Sequence, residues 1–78
     1  MKAIIENGIE KPTPTKGFAL MEIINAVASS RSEETLRSSL REIFAWNYVQ
    51  DNFEHGFGHN HVWVMDKDSK KRVLFAEF

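Results

Sequence analysis

The sequence contains no cysteine, so neither disulfides nor a thiolate-bound metal can supplement its core. That absence also fits a reducing compartment. A basic surplus is lacking too. Ten Lys and Arg stand against eleven Asp and Glu, for a formal charge of −1, whereas strong nucleic-acid binders usually carry a clear positive excess. The large acidic excess of a DNA mimic is equally missing. No apolar run approaches the ~20 residues that span a bilayer. The start, Met1-Lys2-Ala3-Ile4-Ile5-Glu6, reaches a glutamate well short of a secretory apolar region. The expectation is therefore a soluble cytoplasmic protein with no membrane contact. No nucleophile elbow, phosphate-cradling glycine loop or paired catalytic motif is present. In 78 residues there is also little room for an enclosed pocket. The chain reads as non-catalytic, with no cofactor.

What is present suits one small folded domain over residues 1–78. Hydrophobic residues make up 42%, too many for a wholly disordered chain. A domain this short buries only roughly 60–65% of its unfolded surface, so its core is small. Residues 1–15 read as an N-terminal strand and connector. Asn7-Gly8 suits a tight turn, either within a tiny hairpin or after a single strand that joins a C-terminal sheet. Lys11 to Thr15 is extended by its two prolines, with Thr15 as a helix cap.

Residues 16–53 form the helical part. Leu20, Ile23, Ile24 and Val27 recur at i, i+3, i+4, i+7 and predict a helix over 16–28, its stripe widened by Phe18 and Met21. Ser32 caps a second helix, with Glu33 and Glu34 where the helix dipole favours negative charge. Leu36, Leu40, Ile43 and Phe44 carry its stripe, which is expected to continue to about Asp51. Gly56-Phe57-Gly58 predicts a flexible loop. Residues 60–78 form an antiparallel hairpin of Val62–Met65 and Val73–Ala76 around a polar turn. The class is α+β: two helices, then a hairpin, with the N-terminal strand as an optional addition.

Placing Asp66 opposite Lys71 pairs Val64 with Val73, Val62 with Phe75, Trp63 with Leu74, Met65 with Arg72 and His61 with Ala76. Both faces of the hairpin then carry large apolar groups, and Phe78 extends the run. A sheet with one wet face should alternate cleanly. The surplus marks an interaction surface on one face or at the strand edge, with Trp63, Met65, Leu74 and Phe78 as its contacts. The chain is thus expected to be a regulatory or adaptor protein that binds another protein or itself.

Two other groups of residues carry chemistry. His55, His59 and His61 lie close together and are metal-ligand types, but Gly56 and Gly58 keep them off one helix face. No metal site is assigned to them. The letters His59-Asn60-His61 spell the name of a nuclease family whose residues are dispersed over a ββα unit; here they are consecutive, and that activity is not carried over. The second group is basic: Lys67, Lys70, Lys71 and Arg72 at the hairpin tip, and Arg31, Arg37 and Arg41 along the second helix. A helix pair followed by a basic-tipped hairpin resembles part of a winged helix-turn-helix, with Ala26, Ser30 and Leu36 at its small, turn and buried positions. That resemblance implies, as the alternative function, a DNA-binding regulator using those seven cations.

Overall fold

A computed structural model describes residues 2–6 and 13–77. The Asn7-Gly8 turn and Phe78 lie outside the described residues. The order is β1 (Lys2–Ile5), α1 (Pro14–Ser29), α2 (Glu33–Ile43), α3 (Asn47–Asn52), β2 (Phe53–Gly58), β3 (His61–Asp66) and β4 (Lys71–Glu77). The four strands form one antiparallel sheet in the order β1-β4-β3-β2. The fold is α+β.

Helix α1 starts earlier than its apolar stripe suggests. Thr13, not Thr15, is the cap, its side chain accepting the Lys16 N–H at 3.1 Å. Pro14 occupies the first turn, where a missing N–H costs nothing. Ala19, Ile23 and Val27 are buried, while Phe18 and Met21 point to solvent. Helix α2 begins at its Ser32 cap, with the two glutamates in its first turn. It does not run on to Asp51. It ends at Ile43, the chain turns, and α3 follows on a new axis. The Gln50 amide donates to the Phe44 carbonyl at 2.6 Å, satisfying an acceptor near the helix end. Val49 thereby enters the core and Trp46 stays exposed.

The segment Gly56-Phe57-Gly58 is strand, not loop. The Trp63 ring lies over Gly56 and the His61 ring over Gly58, where a Cβ on either glycine would collide with the ring. Glycine in a strand marks this kind of close approach. The β2–β3 turn is completed by Asn60 at φ 62, a left-handed conformation that asparagine tolerates.

In the β3–β4 hairpin, Asp66 faces Lys71 and Met65 faces Arg72, as the pattern implies. Beyond them the register slips, because Val73 is an extra residue in β4. Val64 then pairs with Leu74, Trp63 with Phe75, Val62 with Ala76 and His61 with Glu77. Such a bulge moves the following side chains to the opposite face. The Val73 carbonyl accepts the Glu6 N–H at 2.9 Å. Leu74, expected at a partner contact, is instead buried against the helices.

The core joins Ala19, Ile23, Leu36, Leu40 and Val49 of the helices to Phe53, Val62, Val64, Leu74 and Ala76 of the sheet. One sheet face is thus covered by helices. Alternation puts Glu54, Gly56, His61, Trp63, Met65 and Phe75 on the other. At the β1 edge both Ile4 and Ile5 are exposed, so the helices do not reach that far.

Candidate functional site

The helix-free face is organised in cross-strand rows. Its central row runs Gly56, Trp63, Phe75, Ile4 and is apolar. One flanking row holds Glu54, Met65 and Arg72, the other Gly58, His61 and Glu77. The aromatics lie flat on their neighbours instead of standing in water. His61 stacks on Phe75 with centroids 5.2 Å apart, and the Arg72 guanidinium sits 4.8 Å above the Phe75 ring. Arg72 also pairs with Glu6 at 2.9 Å. Trp63, Met65 and Phe75 are left partly exposed. Phe75 and Ile4 were not singled out from the sequence; both become visible once the bulge is placed.

A second surface lies on the helix side, along the outer edge of β2. A groove of about 530 Å³ runs between α2 and β2, lined by Arg37, Arg41, Phe44, Gln50, His55 and Phe57. Phe44 stacks on His55 at 4.0 Å. Arg37 lies 4.7 Å over Phe57 and bonds Glu33 at 2.8 Å. Burial among these rings pushes the His55 imidazole below its ordinary value, because the charged form is poorly solvated there.

Lys16 and Asp66 form a buried ion pair at 2.7 Å, with half-exposed Asp68 adding a second carboxylate 3.0 Å from Nζ. Burial alone would pull the Lys16 ammonium down, but the two carboxylates outweigh it and the net shift is upward. The pair pins the first turn of α1 to the tip of the β3–β4 hairpin. Its place, sealed inside the fold, is that of a structural clamp.

The three histidines are not brought together. His55 faces the helices, His59 sits in the β2–β3 turn and His61 lies on the open face. Among the described residues no group of three His, Asp or Glu could hold a metal. The seven cations are likewise divided. Arg31 lies between α1 and α2, Arg37 and Arg41 line the β2 groove, and Lys67 donates to the Gln50 carbonyl beside it. Lys70 and Lys71 are exposed at the hairpin tip, while Arg72 is on the open sheet face. No helix of the described residues is long and apolar enough to cross a membrane.

Fold and surfaces together define a helix-backed antiparallel sheet domain whose helix-free face is aromatic and partly exposed among the described residues. A family model matches residues 1–77, and the chain belongs to that family, the domain of unknown function DUF8466. Neither comparison with curated proteins nor comparison with solved structures gives a match.

Proposed function

We propose that this chain is a small non-catalytic module of the regulatory or adaptor kind that buries its helix-free sheet face against a second copy of itself. The observation that supports this reading is the apolar row Trp63, Phe75, Ile4 between two polar rows. An apolar centre with a polar rim is the usual anatomy of a protein interface, and tryptophan is enriched at its hot spots.

Charge favours a second copy as the occupant. Glu54 and Arg72 stand at opposite ends of one row, with Met65 between them. A two-fold axis along β3 places β2 of one copy over β4 of the other. Glu54 of each then meets Arg72 of the other, and the two Trp63 rings meet at the centre. With the axis on β3 only β2, β3 and β4 overlap, and β1 with Ile4 lies outside. Three strands ~4.8 Å apart and about six residues long give a footprint of roughly 290 Å² per copy. That is below the usual range for specific association, so a weak dimer, seen only at high concentration, is expected.

Sedimentation equilibrium over a concentration series tests it. The mass should rise from the 9.0 kDa of one chain to twice that value. Trp63→Ala should weaken the dimer about tenfold or more, and Arg72→Glu should weaken it as well. Glu54→Arg combined with Arg72→Glu should restore it, since the two residues exchange roles across the axis. A chain that stays monomeric up to about 1 mM, or a double variant no better than Arg72→Glu alone, would overturn the reading.

A further inference from the structure

The β2 edge differs in chemistry from the open face and stands independently of it. β2 pairs with β3 and, among the described residues, with no other strand. An unpaired edge presents alternating N–H and C=O groups that can accept an extended chain. The groove-facing side chains of that edge are His55 and Phe57. Past His55 a second hollow of about 450 Å³ continues the groove to Lys67.

The charges along this path are predominantly positive. Arg37 is matched by Glu33. Arg41 is exposed and has no ion-pair partner among the described residues. Lys67 gives one hydrogen bond to the Gln50 carbonyl and, among the described residues, has no carboxylate contact. Glu54 is the acidic side chain at the lip of the second hollow.

We infer that the β2 edge and its groove bind an extended acidic peptide segment, which adds as a fifth strand. Its backbone pairs with β2, and its groove-facing side chains, every second residue, alternate between apolar groups that rest on Phe44 and Phe57 and carboxylates that meet Arg41 and Lys67. The affinity comes from backbone hydrogen bonds and the aromatic floor, and the sign preference from the two cations.

The test uses a fluorescein-labelled decapeptide of repeating Glu-Ser-Val-Ser, whose Glu and Val share one face of a strand, read by anisotropy at low salt. It is called the Glu–Val peptide, and the Lys–Val peptide has Lys at each Glu. A Lys–Val peptide and a Glu–Val peptide with alternate backbone nitrogens methylated serve as comparisons. The Glu–Val peptide should bind at least about tenfold tighter than either comparison, and its affinity should fall as salt screens the cations. Arg41→Glu, a change at an exposed helix position, should weaken binding about tenfold. Ile4→Ala, at an exposed open-face position on β1, at the far edge of the sheet from β2, should leave it within about twofold, which separates this site from the open face. Equal binding of Glu–Val and Lys–Val peptides, no binding up to about 1 mM, or indifference to N-methylation would overturn the proposal. Unchanged affinity in Arg41→Glu, or loss in Ile4→Ala, would do the same.

Discussion

Replacing Lys16 by methionine should be among the most damaging single changes in this molecule. The Lys16 side chain is 2% exposed and that of Asp66 0%, with Nζ and Oδ1 2.7 Å apart. Methionine keeps most of the volume and removes the ammonium from the buried Asp66 carboxylate. Breaking a buried pair from one side costs about 3–5 kcal/mol, because the remaining charge loses its counter-ion. A domain of this length has a total stability of roughly 4–12 kcal/mol, so the variant sits near the limit of folding. Each kcal/mol moves the midpoint of a small domain by roughly 4–8 °C. A loss of about 3 kcal/mol therefore lowers it by about 12–24 °C. Urea denaturation followed by far-ultraviolet circular dichroism gives the free energy and checks that the m-value is unchanged.

The companion variant is Lys16→Met with Asp66→Val. Removing both partners removes the buried charge with its counter-ion, and apolar replacements of buried pairs are often neutral or better. The double variant should recover most of the loss, with half-exposed Asp68 left to be hydrated. Alkaline pH gives an independent check. The folded value of Lys16 lies above its ordinary 10.5. The stability it confers is therefore complete below 10.5 and disappears as pH rises through the folded value. The Lys16→Met protein should lack that alkaline component. A single variant that costs under about 1 kcal/mol, or a double variant as unstable as the sum of the two singles, would refute the reasoning.

Two further outcomes follow from the same structure. His55 is held below its ordinary 6.5 by burial against Phe44, in a groove it shares with Arg37 and Arg41. The unfolded chain takes up that proton more readily, so stability is complete above 6.5 and declines as pH falls below it. Denaturation at a series of pH values should show this slope, and His55→Phe should flatten it. Gly56→Ala places a methyl group where the Trp63 ring lies. The ring must lift from the sheet, at a cost of about 1–3 kcal/mol. Trp63 emission, isolated in a Trp46→Phe background, should shift to the red; an unshifted spectrum with unchanged stability would contradict the packing.

Helix α1, the Ser32 cap and the Asp66–Lys71 pairing are legible in the sequence because each depends on near neighbours. The 3.6-residue recurrence, the serine before two glutamates and the charge pair flanking a polar turn all act over a few positions. What is hidden depends on residues far away. The glycines of β2 resemble a loop until Trp63 and His61 are placed across from them. Ile43 ends α2 although the apolar stripe runs on through Phe44, and the chain turns over 44–46 before Val49 enters the core. Leu74 looks solvent-facing under regular alternation, and the extra residue Val73 turns it inward. The aromatic surplus at the end of the chain could be read as such. The composition of the open face could not, since Phe75 and Ile4 join it only through register.

The pairing of β1 with β4 joins the stretch around Ala3 to the stretch around Ala76. During synthesis the helices are complete long before β4 exists, whereas the sheet cannot close until both have been made. Contacts this distant along the chain slow folding. Any fusion or label that holds back residues 71–77 would leave β1 and β3 without the strand that joins them, and the helices without part of the core they pack on.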